Sequence, residues 1–404
     1  MRAHPVSFSG THRINRGLGL GILMLFAGGI VIAQGIQPDT LRYIQYGPAL
    51  PAIVKETSGL AFTDGIVWTI NDSQNKPILY GMEPGTWKIK SRIRVKGVAN
   101  NDWEEVTMGP DGFIIGDFGD NRGVRDTRDL LFIPKAKKIK RILTLTPKTL
   151  TFRFQGEMFM DPPGNRHNRD IEAMTWIGDR LMLFTKNRKD HLTYVLEIKD
   201  LSTDTLLKPI GVLQAGGLVT GAAYHAENDW LVLCGYARAR SFLYIVPGFL
   251  KSNMDSDLGK RVILQGIDGS QVEGVTWIGN DSLLISTEKT GVMPASAFLI
   301  PINHLARNPK LDTELMRASG IRIEDAAWTG ENNFGCSIIS EDNTLALLEV
   351  ITFRGDILYK ESLTLNKGIN PFAARLDTKP TRDMVFVRIT HPSSTWSALI
   401  QEKQ

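Results

Sequence analysis

Apolar and polar positions along this chain alternate in short runs broken by Gly, Asn and Asp, the pattern of strands joined by tight turns. One phrase, a small or acidic residue followed by a compact apolar run, recurs six times. The copies begin at Ser58 (SGLAF), Glu104 (EEVTM), Glu172 (EAMTW), Thr220 (TGAAY), Glu273 (EGVTW) and Glu324 (EDAAW). With Gly59, Glu105, Ala173, Gly221, Gly274 and Asp325 as equivalents, the steps are 46, 68, 48, 53 and 51 residues. Periods of that length belong to stacked or radial repeats. In the fifth copy, residues 274–277 read as a strand, Gly279-Asn280-Asp281 as a tight turn, 282–287 as a second strand and 297–301 as a third.

A lone meander cannot bury both faces, whereas blades set radially cover one another. The pattern therefore predicts an all-β fold, a six-bladed β-propeller of four-stranded antiparallel blades over residues 58–366, preceded by a signal peptide. The aromatics ending the first strands, Phe62, Trp176, Tyr224, Trp277 and Trp328, are expected to pack between blades. The long second step implies an insertion at 120–169, with a basic run from Lys135 to Arg141, on one face of the ring. Residues 34–57 form a linker with a possible closing strand, 304–317 look briefly helical, and the tail 367–404 holds two strand-like pieces, MVFVRIT and WSALIQ.

A basic start with Arg2, Arg13 and Arg16, an uncharged run at 18–33 and a small residue, Ala33, at its end follow the order of a secretory signal. Export to the periplasm or beyond the cell is the expectation, with an uncleaved anchor in the inner membrane as the alternative. Without the leader the chain carries 44 basic and 43 acidic residues, a net +1, which argues against nucleic acid as a bulk electrostatic partner. The expected partner is a small molecule, a glycan or an envelope protein, with membrane contact only through an uncleaved leader, and the expected state is a monomer. The two cysteines, Cys234 and Cys336, fall in apolar runs a blade apart, too far for a bridge.

Equivalent positions of a radial fold converge on its axis, so the leading residues of the phrases, four of them glutamates, are expected at one channel mouth. Residues after each second strand return there: Asp72, Asp117, Lys186 with Asn187, Tyr236 with Arg238, and Glu288. Asp102 and Asp170 stand two residues before their blade's glutamate. Clustered carboxylates are tolerated if they share protons, pair with bases or hold a cation. Oxygen donors without thiolates or paired histidines favour Ca2+ or Mg2+. Asp72, Asp102, Glu104, Asp117, Glu172 and Glu273 form the candidate metal set, and Glu104 and Glu172 the candidate general bases. Asp117, Asn121, Arg122, Lys186, Asn187 and Glu288 are candidate ligand contacts; Asn121 and Arg122 lie in GDFGDNRG, whose composition also suits a plain turn. The competing account of the acids is structural, with carboxylates bonded to backbone amides of the next blade or neutralised by Lys186, Arg238 and Lys289. Neither GxSxG, HExxH, a P-loop nor an EF-hand loop occurs.

The words ETSGLAF (56–62), WTINDS (68–73), DWEEVTM (102–108), GDFGDNRG (116–123), RDIEAMTW (169–176), LFTKNR (183–188) and GLVTGAAY (217–224) resemble those of exported bacterial β-propellers of the Bacteroidetes type, a family of unassigned function. More distantly the pattern is similar to phytase-like esterase and gluconolactonase/paraoxonase propellers. That resemblance implies a divalent ion at the channel mouth assisting hydrolysis of an ester, lactone or phosphate, with Glu56 or Glu104, Asp72, Asp117 and Glu172 as the matching positions. A non-catalytic binding or scaffold propeller of the cell envelope is the alternative.

Overall fold

The computed structural model describes residues 42–136, 140–156, 160–254, 256–302, 315–318, 320–380 and 383–402. The predicted leader and most of the predicted helix at 304–317 lie outside the described residues. Residues 315–318, overlapping the end of that predicted helix, are a strand.

Five of the six phrases open a four-stranded meander. Blade 1 runs Thr57–Thr63, Ile66–Asn71, Ile78–Met82 and Ile89–Val95, and blade 2 Trp103–Gly109, Gly112–Asp117, Arg128–Pro134 and Lys148–Phe154. Blade 3 runs Ile171–Ile177, Arg180–Thr185, Thr193–Ile198 and Gly211–Leu213, and blade 4 Leu218–His225, Trp230–Ala237, Arg240–Pro247 and Lys260–Gln265. Blade 5 takes Val272–Ile278, Ser282–Thr287 and Ser296–Pro301, and borrows its outer strand, Arg42–Gln45, from the N-terminal side, antiparallel with Ile44 opposite Leu299.

First strands neighbour one another around the axis. The Ser58 hydroxyl donates to the Glu104 carbonyl, and the Thr220 hydroxyl to that of Val272. The circuit returns from blade 5 to blade 1, where Gly274 packs on Leu60 and the hydroxyls of Thr57 and Ser286 lie 3.4 Å apart. The ring thus closes at five blades, not the six counted from the repeat.

The sixth copy lies outside this ring. Its strand, Ile321–Trp328, pairs with Asn333–Ser340, which pairs with Gly368–Arg375 in a three-stranded sheet. Beside it Ile357–Leu365, Thr344–Thr352, Val385–His391 and Ser394–Leu399 form a four-stranded sheet. The two strand-like pieces of the tail are therefore strands, but they serve this C-terminal module. Local pattern could not separate the sixth copy from the others, because what excludes it is pairing. The borrowed strand already completes blade 5, and the irregularity between Glu324 and Ala327 leaves two residues unpaired where the ring copies leave one.

The insertion at 120–169 is also resolved differently. It holds blade 2's own third and fourth strands, while Ile142–Leu145 crosses to lie parallel to blade 1's outer strand, with Arg92 opposite Ile142. The apolar core sits between blades: the rings of Trp68 and Phe113 meet at 5.0 Å across blades 1 and 2, and those of His225 and Trp277 at 4.5 Å across blades 4 and 5. Cys234 and Cys336 are unbonded and buried, as expected.

Candidate active site at the channel mouth

Each first strand of the ring carries a one-residue irregularity at the start of its phrase, leaving out Gly59, Glu104, Glu172, Thr220 and Glu273 in the five blades. A β-bulge bends its strand and re-aims a side chain. Here that places Glu104, Glu172 and Glu273, with Ser58, on a polar cavity of about 250 Å³. Asp72, Lys186 and Glu288, each one residue past its second strand's last register partner, line it as well, together with Tyr236, which pairs with Leu218, and with Gln271, Arg188 and Asn121.

The charges inside segregate. Lys186 Nζ lies 2.9 Å from Glu172, and the Arg188 guanidinium lies 3.3 Å from Asp170 and 3.7 Å from Glu172. Arg188 also donates to the Asn121 side chain. On the other side, oxygens of Asp72, Asp102 and Glu104 come within 4.8 Å of one another, although Asp102 is not itself a lining residue. None of these three carboxylates forms an ion pair among the described residues, and Glu104 Oε1 is buried with no hydrogen-bond partner. Gly119 explains how they crowd together: a Cβ there would stand 2.2 Å from Glu104 Oε1 and 2.6 Å from Asp102 Oδ2.

Burial, reinforced by neighbouring carboxylates, raises the acids. Asp102 is pushed up to about 7, by desolvation and then by Asp72 and Asp170, while Glu104 rises well above its ordinary range through desolvation and then Glu172. Asp72 is raised chiefly by burial. Glu288 is pushed up to about 7, by burial and then Asp72, and Glu273 also rises, mainly through burial. Burial alone would lower the Lys186 ammonium, but Glu172, Tyr236 and Glu273 hold it well above its usual pKa. The acids of this mouth are thus under-compensated, a condition met either by holding protons or by binding a cation. The buried, partnerless oxygen and the hard, close-set donors fit Ca2+ or Mg2+.

Several expected site residues are elsewhere. Asp117 is one residue out of register, because strand side chains alternate and Phe118 holds the position equivalent to Asp72. Its carboxylate accepts from the Asn101 side chain at 2.8 Å and from the Asp102 amide at 3.2 Å, and pairs with Arg125 at 3.0 Å. It is a structural tie. Asn187 is fully buried, its amide without a hydrogen-bond partner, and does not line the cavity. Arg122 is exposed and also absent from the lining.

Sequence reasoning missed Arg188 and Gln271. Gln271 precedes its leading glutamate by two, as Asp102 and Asp170 do, and Arg188 follows Lys186 by two. The period of two was the available signal. It also missed Glu105, the one charged residue among the small equivalents Gly59, Ala173, Gly221 and Gly274, whose carboxylate is buried in the ring.

Fold and site together define a five-bladed β-propeller with an acidic channel mouth. No family model and no curated protein matches the chain. Similar solved structures include the PQQ-bound aldose sugar dehydrogenase of Streptomyces coelicolor, at 13% identity over 65% of this chain and 97% of that one, TM-score 0.41. An exo-β-1,3-galactanase of Phanerochaete chrysosporium with β-1,3-galactotriose has 9% identity over 89% and 99%, TM-score 0.44. The Dos1 propeller has 10% identity over 86% and 81%, TM-score 0.32. Likenesses this remote transfer neither substrate nor residue role, and the propeller assignment rests on the strand topology.

Proposed function

We propose that this is an exported propeller whose channel mouth binds Ca2+ or Mg2+ on Asp72, Asp102 and Glu104 and hydrolyses an ester, lactone or phosphate. The observation carrying this reading is the close set of three carboxylates without an ion pair, one with a buried partnerless oxygen. When bound, a divalent cation supplies Lewis-acid polarisation of the substrate oxygen.

The chain's own residues divide the remaining work. Glu104 is a ligand in this reading, and Glu172 is held by Lys186 and Arg188, so neither is the best base. Glu288 lines the same cavity with a carboxyl near neutrality, the range suited to taking a proton from water and returning it to a leaving group. Gln271, which donates to the Tyr236 hydroxyl at 3.1 Å, and Asn121 offer polar groups to orient a substrate.

The competing reading is a non-catalytic binding propeller of the envelope. It is favoured by the carboxylates of Glu105 and Asp117, which serve as ties to backbone amides. Metal analysis of the purified protein, melting curves with calcium, magnesium and chelator, and assays on nitrophenyl acetate, a simple lactone and nitrophenyl phosphate separate the two. Bound metal, a chelator-sensitive melting point and turnover lost in Glu288→Gln support the hydrolase. A protein that carries no ion and melts unchanged in chelator removes the cation from the proposal.

A further inference from the structure

A second surface, on the rim of blade 1, is unrelated to the mouth. Residues 84–101 and 130–156 are two stretches without a single Asp or Glu. They lie far apart along the chain, yet the crossing strand Ile142–Leu145 runs parallel to blade 1's outer strand Ile89–Val95 and brings them side by side. The alternation of that outer strand buries Ser91, Ile93 and Val95 and turns Lys90, Arg92 and Arg94 outward. Lys88, Lys96, Lys140 and Arg141 are exposed at the ends of the two strands, and Lys135 is exposed after blade 2's third strand. Arg92 stands opposite Ile142, an exposed apolar side chain, and Arg94 opposite Thr144.

These cations are scarcely neutralised. Lys90 pairs with Glu83 at 2.8 Å and Lys135 approaches Asp64 at 3.8 Å. Lys88, Arg92, Arg94, Lys96, Lys140 and Arg141 form no ion pair among the described residues. A fold with a net charge of +1 outside its leader thus gathers its excess positive charge on one rim. Self-repulsion of this kind costs stability unless an anionic surface answers it.

We infer that the blade 1 rim docks on an anionic phospholipid bilayer. Clusters of four to eight exposed Lys and Arg bind acidic headgroups, each charge adding its increment, and an apolar side chain among them suits the headgroup boundary. Single-stranded nucleic acid fits less well, because the rim's aromatic residues, Tyr80 and Trp87, are buried and offer no stacking face. Membrane contact here is additional to any made by residues 18–33.

The test is sedimentation of the full chain with vesicles of pure phosphatidylcholine or with about 30% phosphatidylglycerol, at low and high salt. The leader's Arg2, Arg13 and Arg16 also favour the anionic lipid, so the readout is the part of the lipid difference that substitutions on the rim remove. We expect the anionic vesicles to bind at least about tenfold more tightly, the excess vanishing at high salt. Reversal of Arg92, Arg94, Lys140 and Arg141 to Glu removes most of the excess, while reversal of the exposed Lys208 and Lys251 on other blades leaves it, all variants being checked for an unchanged melting point. If the rim variant melts early, the less invasive pair Lys140→Gln and Arg141→Gln is expected to reduce the excess in the same direction. Equal binding to both lipids, an excess that survives the substitutions, or retention by DNA and not by vesicles overturns the inference.

Discussion

The carboxylate of Glu105, in the first strand of blade 2, accepts a hydrogen bond from the backbone amide of Ala222 in blade 4, 3.2 Å away and 117 residues later in sequence. It also accepts from Val106 at 3.0 Å, and the amides of Leu60 and Met174 add to its hydrogen bonding. One side chain at the axis therefore ties the first strands of four blades, and burial holds its carboxyl well above the ordinary range.

Glu105→Ala is expected to destabilise the ring by about 3 kcal/mol or more, since it leaves buried amides unsatisfied as well as a void. Glu105→Gln retains one acceptor oxygen and costs less. Gly59→Ala tests the same spot from blade 1: Gly59 has a φ of 66°, and a Cβ would stand 2.3 Å from Glu105 Oε1. Urea titration of the three variants gives the ranking, and an alanine at 105 that unfolds like the wild type refutes the tie.

Substitutions at the cation set are expected to weaken calcium binding without unfolding the ring. Glu104→Gln, Asp72→Asn and Asp102→Asn each remove a charged donor, and in apo protein each relieves repulsion. The apo melting point therefore holds or rises while calorimetric affinity falls about tenfold or more. Gly119→Ala acts indirectly, by pushing the carboxylates of Glu104 and Asp102 apart, and is expected to lower affinity as well.

Glu288 gives a pH dependence with a definite sign. Its folded pKa of about 7 is above the ordinary glutamate value, so the folded state holds the proton more tightly than the unfolded chain. The penalty is absent below the unfolded pKa, grows as pH rises toward 7, and is complete above it. Glu288→Gln is expected to match the wild type near pH 4 and to melt roughly 2–4 °C higher near pH 8. The opposite trend in calorimetric scans would place the carboxylate in an environment that favours its charge.

Asp120 and Arg128 form a buried pair at 2.7 Å that holds the GDFGDNRG turn. Asp120 also accepts from the amides of Val124 and Arg125, and its own amide donates to Asp170 at 2.7 Å. Burial lowers Arg128 to about 10, so the pair depends on both partners. Either Asp120→Asn or Arg128→Met is expected to cost about 3–5 kcal/mol, much of it from the charge left alone. The double variant should cost less than the sum, measured as a cycle by denaturation.

The strand pattern and the six phrases were enough to fix an all-β repeat, the position of most first and second strands, and the convergence of Glu104, Glu172, Glu273, Asp72, Lys186 and Glu288 on one cavity. Those follow from local alternation and from equivalence within a repeat, both written in the order of residues. Blade number, the crossing strand at 142–145, and the fate of each carboxylate depend on which edges pair and which charges meet. Hydrogen bonding between strands distant in sequence placed Arg42–Gln45 on blade 5 and left Glu324 outside the ring. A single-residue step in register turned Asp117 from the cavity to Arg125, and the approach of Lys186 to Glu172 left the unpaired charge with Asp72, Asp102 and Glu104. Alternation is a local property that sequence displays, whereas pairing and electrostatic balance are set by distance in space, which only the tertiary structure supplies.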